Sequence, residues 1–250
     1  MVKYTGIRKI VFSVLRIVRQ TKKRQGRYRD MKFVCDSVDL SEAAVTVVKA
    51  CAVRTLTPVL ECIRMQVKND GVTLSAYDGE LSIEKSFKAD VLEEGEACVN
   101  GRLFTDFIGK ISHTQITVGT VEQGVEIRYD DSRSFMQVLP ADEFPRLDCG
   151  ESVGEFEVEE GKFKNLVARS IFCCASDDSR PILKGCLLET EGNILRASAL
   201  DGYRMATTEC ELKSGDDGKK IVCPARTLGE ISRMLAGADK LLKVEFSANH

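Results

Sequence analysis

The chain has 250 residues, 43% of them hydrophobic and 30% charged, a composition typical of a globular protein long enough for two domains. No apolar run approaches the roughly 18 to 20 residues that a membrane-spanning helix requires. The ten cysteines occur singly or as the adjacent pair Cys173-Cys174, without CxxC spacing or a neighbouring histidine. This pattern argues against a zinc site and a disulfide framework, and we expect buried free thiols in a reducing cytoplasm.

The net charge of −2 conceals an uneven distribution along the chain. Residues 1–30 hold ten Lys or Arg and only Asp30, whereas the remainder holds 26 basic and 37 acidic residues. Residues 7–18 could form a short basic amphipathic helix. Three interpretations of this extension compete: an arm that contacts nucleic acid, an organelle transit peptide, or a non-native or disordered segment. We adopt the third, because a clean strand–helix unit begins at Met31.

A first domain is predicted over residues 31–145. Apolar residues recur at helical spacing over 40–51, with Asp36 or Ser37 as the N-terminal cap. Strands are predicted over 59–67 and from Val72, joined by a turn at 69–71. A second short helix covers 103–111. Two further strands, 116–118 and 125–129, are joined by a turn at Gln123-Gly124, and the unit closes at Phe144-Pro145.

The same order of elements then recurs over residues 154–250, after a predicted linker at 146–153. Six identities link the halves at a shift of 123 positions, and they indicate a duplication. The matched pairs are Pro58 and Pro181, Leu60 and Leu183, Ser75 and Ser198, Ala76 and Ala199, Asp78 and Asp201, and Gly79 and Gly202. The predicted fold is α+β, with an antiparallel sheet and two short helices per copy. The second copy is incomplete, because no hairpin follows its last strand, predicted over 244–250.

Basic residues predominate on the predicted helices, eight against three acids, although the body is acidic overall. If all four helices lie on one side of the sheets, that side is suited to a phosphate backbone; a solvated Lys- and Arg-rich helix face is the alternative. The eight are Lys49, Arg102, Lys110, Lys162, Lys164, Arg169, Arg226 and Arg233, and the three acids are Glu42, Asp106 and Glu230.

The sequence contains no recognisable catalytic constellation. His113 and His250 stand beside no nucleophile and in no metal-ligand spacing, and Asp177-Asp178 is best explained as a solvated turn. We therefore predict a non-enzymatic protein with no metal and no cofactor. A cysteine hydrolase using Cys173 or Cys174 is a remote alternative, since neither cysteine has a partner histidine.

Five segments together resemble bacterial β sliding clamps. The most specific is SDDSRPILKG at 176–185, followed at the family's spacing by ALDGYRMA at 199–206. RTLTPVL at 54–60, LPADEFP at 139–145 and PARTL at 224–228 match other parts of the family. The likeness covers residues 31–250, which correspond to the N-terminal and central domains of DNA polymerase III beta subunits, the third domain being absent.

The resemblance implies tandem DNA-clamp domains, three per subunit and two subunits per ring, in a processivity factor that tethers the replicative polymerase to duplex DNA. Helices would line the pore. By residue match, Arg54, Arg102 and Arg180 would face DNA, joined by the basic residues Lys49, Lys110, Lys162, Arg169 and Arg233. A pocket for short peptide motifs maps to Leu183, Leu200, Gly202, Tyr203, Arg204 and Met205.

The partners that the resemblance implies are non-specific duplex DNA, the polymerase catalytic subunit, the clamp loader, other proteins with clamp-binding motifs and a second clamp subunit. The expected location is cytoplasmic and nucleoid-associated. Without a third domain, the chain is expected to be unable to close a ring alone. The competing interpretation is a stand-alone α+β module that binds peptides and never encircles DNA.

Overall fold

The structure is a computed structural model that describes residues 2–4, 7–12, 30–69, 71–122, 124–145, 152–177, 179–237 and 239–247, with the backbone alone for 2–12 and 247. It divides into a first unit, Gly6–Asp148, and a second unit, Met1–Thr5 with Cys149–His250. None of the described helices is long and apolar enough to cross a bilayer.

The first unit is built on one continuous antiparallel sheet and two helices. Its strands run in the order β2-β6-β5-β4-β8-β11-β10-β9-β3-β7. The elements are β2 (Ile7–Phe12), β3 (Lys32–Asp36), α1 (Ser37–Val47), β4 (Cys62–Lys68), β5 (Gly71–Tyr77), β6 (Leu81–Phe87), β7 (Asp90–Glu93), β8 (Gly95–Asn100), α2 (Gly101–Ile108), β9 (Gln115–Val121), β10 (Gly124–Tyr129) and β11 (Ser132–Leu139).

Local sequence explains where the helices of the first unit begin. The Asp36 side chain accepts a hydrogen bond from the Val38 amide, which confirms Asp36 as the N-cap of α1, and Asn100 caps α2 in the same way. Leu40, Ala44 and Val47 are fully buried on one face of α1. The two helices pack against each other and against the sheet. Burial of this apolar stripe is the main force that holds α1 in place.

The second unit holds two sheets and the other helix pair. One sheet has the order β16-β12-β18-β1, and the other β15-β14-β13-β17. The elements are β1 (Val2–Tyr4), β12 (Ser152–Glu159), α3 (Glu160–Ala168), β13 (Gly185–Glu191), β14 (Ile194–Leu200), β15 (Met205–Glu211), β16 (Ser214–Gly215), β17 (Lys220–Pro224), α4 (Ala225–Met234) and β18 (Leu241–Ser247).

The repeat is confirmed by backbone hydrogen bonds that recur at the same shift of 123. Ala52 N donates to Leu60 O at 2.9 Å, and Ala175 N donates to Leu183 O at 2.8 Å. Asp78 N donates to Leu81 O at 3.2 Å, and its counterpart Asp201 N donates to Arg204 O at 3.3 Å. The predicted α+β fold with duplicated antiparallel units is therefore correct. We call the two copies, from Met31 and from Gly154, the first and second repeats.

Several predicted boundaries were wrong. The strand expected from residue 59 begins later, because Pro58–Glu61 forms a 3-10 helix started by proline, and Pro181–Lys184 forms the equivalent 3-10 helix in the second repeat. Residues 7–12 are a strand where a helix was predicted. Strand β12 begins at Ser152, inside the predicted linker. Asp70, Gln123, residues 13–29 and 146–151 lie outside the described residues, so the other domain boundaries remain predictions.

Candidate functional site

A tight turn after β14 contains three of the six predicted pocket residues, Gly202, Tyr203 and Arg204. The Asp201 carboxylate accepts hydrogen bonds from the amides of Tyr203 and Arg204 at 3.0 and 3.1 Å, and these bonds hold the pKa of Asp201 below its usual value. Gly202 has φ +95°, a conformation that favours glycine. The Arg204 guanidinium donates to Asp201 Oδ2 at 2.9 Å and to the Phe172 carbonyl at 3.0 Å.

This turn presents an apolar surface to solvent. Tyr203 is fully exposed, Met205 is 64% and Leu200 39% exposed, and Leu183 is half-buried. The structure therefore brings all six predicted pocket residues to one region, because the Ala175–Leu183 hydrogen bond carries the loop before β13 against the 3-10 helix at Ile171–Cys173. Exposed apolar side chains on an ordered turn are typical of binding surfaces.

Two exposed apolar residues at this site were missed by the sequence interpretation. Phe172 is 57% and Ile182 is 67% exposed. Neither was assigned to a site, since hydrophobicity alone does not show which side chain is left uncovered. The repeat provides a signal that could have found Phe172, because Lys49 occupies its position in the first repeat.

The first repeat uses the same backbone with other side chains. Asp78 Oδ1 accepts from the amides of Glu80 and Leu81, and Gly79 has φ +106°. Glu80 occupies the position that corresponds to Tyr203 in the second repeat, and Lys49 occupies the position that corresponds to Phe172. The aromatic and apolar residues of the second repeat are therefore not required by the turn itself.

The basic residues of the first unit cluster around helix ends and one loop. Lys49 lies in the 3-10 helix after α1, Arg54 in the following loop, Arg102 in the first turn of α2, and Lys110 just beyond α2. Arg54, Arg102 and Lys110 are exposed, and none of the four forms an ion pair with a described residue. They are free to meet an external anion.

In the second unit the basic residues divide into two groups. Lys162 pairs with Glu211 at 3.3 Å and Glu159 at 3.7 Å, and Arg233 pairs with Glu230, so their charges are largely compensated. Arg169 and Arg180 are exposed, and neither forms an ion pair with a described residue. Asp177, next to Arg180 in the loop, accepts from the Ser179 amide at 2.9 Å; its neighbour Asp178 lies outside the described residues.

The predicted excess of basic residues on the helices was wrong. The four helices as observed contain five basic and five acidic residues, because Asp39 and Glu160 also lie within them. Lys49, Lys110 and Arg169 lie just past the ends of α1, α2 and α3. Cations are favoured there by the helix dipole and the terminal carbonyls, which explains their placement without any ligand.

The described thiols do not form a reactive centre. Nine cysteines are described, all free, and seven of them are buried, as predicted. Burial raises the pKa of Cys174 to about 11 and that of Cys51 to about 12, so both are protonated at neutral pH and weakly nucleophilic. Within the described ranges, no cluster of three His, Cys, Asp or Glu could hold a metal ion. His113 is exposed, and His250 lies outside the described part.

The whole body of the chain matches two consecutive family models. The DNA polymerase III beta subunit N-terminal domain matches residues 31–148, and the central domain of the same subunit matches 157–250. The boundary between the models falls between the two repeats. The chain therefore belongs to the DNA polymerase III beta subunit family.

Individual relatives agree with this assignment. The beta sliding clamp of Halalkalibacterium halodurans is 27% identical over 231 residues, which are 88% of this chain and 61% of that protein. A crystal structure described as a DNA polymerase III beta subunit from Eubacterium rectale superposes with a TM-score of 0.84 at 28% identity, covering 88% of this chain and 60% of that one. The sliding clamp of Pseudomonas aeruginosa bound to griselimycin gives a TM-score of 0.79 at 25% identity, with 87% and 60% covered. The chain thus spans about three-fifths of the length of its relatives.

Proposed function

We propose that this chain forms the first two domains of a DNA sliding clamp, a non-catalytic processivity factor that holds the replicative polymerase on duplex DNA. The observation that carries the proposal is the family match over both repeats in the expected order. Its partners would be duplex DNA, the polymerase catalytic subunit, the clamp loader, other proteins with clamp-binding motifs and a second clamp subunit.

DNA would be contacted through phosphates. Arg54 and Arg102 in the first unit and Arg169 and Arg180 in the second are exposed guanidinium groups that form no ion pair with a described residue, although the charge of Arg180 reaches the Asp177 carboxylate. Such groups neutralise phosphate without reading sequence. Lys49 and Lys110 would add to this surface. Lys162 and Arg233 would contribute less, because carboxylates already pair with them.

Peptide motifs would bind at the Asp201 turn. Leu183 and Leu200 supply the apolar floor, Tyr203 and Met205 the exposed walls, and Arg204 is fixed in place by Asp201 and the Phe172 carbonyl. A leucine or phenylalanine anchor suits this surface. The griselimycin complex of the Pseudomonas relative supports a ligand site in the family.

The decisive experiment measures DNA and griselimycin binding on the same preparation. We expect weak, sequence-independent DNA binding that falls with salt, and griselimycin binding that Met205→Ser weakens. A stand-alone peptide-binding module is the second candidate, favoured by the exposed apolar turn. Retained griselimycin binding with no DNA binding at low salt would select that module over the clamp.

A further inference from the structure

The loop between two 3-10 helices of the first repeat carries exposed apolar residues on both sides of an arginine. Residues 51–57 join the helix Val48–Ala50 to the helix Pro58–Glu61. Val53 is 63% exposed, Leu56 is fully exposed, and Arg54 between them is exposed as well. We call these three residues the Arg54 cluster. Single exposed apolar residues are common on protein surfaces, but two within four positions around a cation form a patch that suits a ligand.

The backbone of this loop is closed in the same way in both repeats. Leu60 N donates to Thr57 O at 3.0 Å. At the shift of 123 positions, Leu183 N donates to Arg180 O at the same distance of 3.0 Å. Inside the first loop, the Thr57 amide also donates to Thr55 Oγ1 at 3.1 Å. The Arg54 cluster therefore stands on a defined backbone.

The second repeat builds the equivalent loop from polar side chains. Ser176 and Ser179 occupy the positions that correspond to Val53 and Leu56, and Asp177 occupies the position that corresponds to Arg54. The shared backbone thus accepts serine at both apolar positions and the opposite charge between them. The apolar and basic side chains of the first repeat are not required by the loop, and they are available for a contact outside the chain.

Cations surround the Arg54 cluster. Between Lys49 and Leu60 the chain contains Arg54 and no acid. Burial raises the pKa of Cys51, at the start of the loop, to about 12, and the charge of Arg102 opposes that rise, so the first turn of α2 lies near the loop. Lys49, Arg54 and Arg102 form no ion pair with a described residue. The charges favour an anionic partner that also presents apolar surface close to its charge.

An unpaired DNA strand has the chemistry that fits apolar side chains on both sides of a cation. In a duplex the base faces are stacked inside and the phosphates are outermost, so side chains beside Arg54 would meet phosphate and water. A strand without a partner exposes base faces next to each phosphate, and proteins hold such strands with cations and side chains that contact the bases. Three residues span at most about 10 Å, so one short stretch of a strand can reach Val53 and Leu56 together.

We propose that the Arg54 cluster binds single-stranded DNA, with Arg54 on a phosphate and Val53 and Leu56 against neighbouring bases. The proposal rests on the proposed clamp function, which brings DNA to Arg54, and it adds a preference of this loop for unpaired strand over duplex. The contact tolerates any sequence, because every base has a face that an apolar side chain can cover. The apolar part of its free energy does not depend on counterion release, and so it persists as salt rises.

An anionic membrane surface offers the same mixture of charge and apolar contact. It is the poorer occupant, because one valine and one leucine supply far less apolar area than the helix faces and acyl chains that hold proteins at membranes. The experiment includes a membrane probe for this reason.

The test uses the full chain with the basic residues of 1–30 replaced by glutamine. Three fluorescein-labelled probes are compared by fluorescence anisotropy: one oligonucleotide as a single strand, the same strand annealed to its complement, and a strand of equal length without bases. We expect the single strand to bind about fivefold more tightly than the other two, the effect of burying roughly half of a leucine side chain. Equal affinities for the single strand and the strand without bases would show that the bases are not contacted, and would overturn the proposal.

Matched variants separate the apolar part of the contact from the ionic part. Leu56→Ser, which installs the residue of the second repeat, should weaken single-strand binding about fivefold and leave duplex binding and the salt dependence unchanged. Arg54→Ala should instead reduce the slope of log K against log salt by about 1 for both forms. Leu56→Phe should bind the single strand more tightly, because an aromatic ring stacks on bases. Leu92→Ser is the control, since Leu92 is 57% exposed on β7, outside the Arg54 cluster.

The outcomes distinguish this proposal from the clamp function on which it rests. Binding of neither DNA form would overturn both. Duplex binding without a preference for the single strand, or a single-strand affinity that Leu56→Ser and Leu92→Ser change equally, would overturn this proposal alone. Vesicles of phosphatidylglycerol and phosphatidylcholine test the membrane alternative: binding to them that Leu56→Ser abolishes, without a single-strand preference, would also overturn it.

Discussion

Asp201 holds Arg204 through both of its carboxylate oxygens: Oδ1 accepts from the backbone amide at 3.1 Å and Oδ2 from Nε at 2.9 Å. The residue at the position of Arg204 in the first repeat is Leu81, which has no guanidinium to donate. The guanidinium also reaches the Phe172 carbonyl, so one carboxylate fixes the turn and the neighbouring 3-10 helix together.

The first prediction concerns the pH dependence of this turn. The Tyr203 and Arg204 amides hold the pKa of Asp201 below its unfolded value, so its stabilisation is present above that value and is lost as pH falls through the folded pKa. Asp201→Asn should lower the melting temperature at pH 7, and the difference from wild type should shrink below about pH 4. Thermal unfolding from pH 3 to 7 measures both.

Arg204→Leu is the matched control, since it removes the guanidinium contact but keeps the two backbone amides that donate to Asp201 Oδ1. It should lower the melting temperature less than Asp201→Asn at pH 7. A difference between wild type and Asp201→Asn that stays constant down to pH 3 would contradict the assigned role of the carboxylate.

The second prediction concerns DNA. The full chain, with the basic residues of 1–30 replaced by glutamine, should bind duplex DNA with Kd near 10⁻⁴ M or weaker, without sequence preference. Arg54→Ala with Arg102→Ala should reduce the slope of log K against log salt by about 2, because two phosphate contacts are lost. Arg128→Ala is the control, because Glu126 pairs with it at 2.6 Å. Tight binding that is insensitive to salt would exclude phosphate contacts as the mechanism.

Sequence patterning was sufficient to predict the duplication but not the ends of its strands. Pro58 starts a 3-10 helix, and Gly79, next to Asp78, has a positive φ. These residues recur in the second repeat because the backbone requires them, so their identity predicts the shared structure. Val59 was assigned to a strand because apolar β-branched residues favour strands. Its place is set instead by contact with Phe144, 85 positions later, which no local pattern contains.

The charge pattern failed for a related reason. Lys49, Lys110 and Arg169 follow helices so closely that composition assigns them to helix faces, whereas the structure places them beyond the helix ends. The sequence also did not predict the exposure of Phe172 and Ile182, because exposure depends on whether distant parts of the chain pack over a side chain. The predicted pocket residues came from family motifs, and periodicity alone would have placed Leu183 and Met205 in the core.

The third prediction concerns the peptide site. Leu183→Ala should weaken griselimycin binding by about 1 to 3 kcal/mol, the usual loss for one apolar contact at a hot spot. Arg54→Ala should leave it unchanged, since Arg54 belongs to the first unit. Leu92→Ala controls for general loss of exposed apolar surface, because Leu92 is 57% exposed on β7. Calorimetric titration gives the affinities; identical values for wild type and Leu183→Ala would mean that Leu183 only supports packing.

The fourth prediction concerns Gly185. A Cβ there would lie 2.4 Å from Val222 Cγ1 and 3.1 Å from the Cys223 carbonyl, so Gly185→Ala should destabilise the second unit by about 1 to 3 kcal/mol through overpacking. Val222→Ala removes the closer contact, and the double variant should therefore recover part of the loss. Gly229→Ala is the control: it lies within α4, its nearest neighbour is 3.7 Å away, and alanine there should stabilise by up to about 1 kcal/mol. Urea unfolding of the four variants gives the coupling energy between positions 185 and 222. Additive effects would show that Val222 does not pack over the glycine.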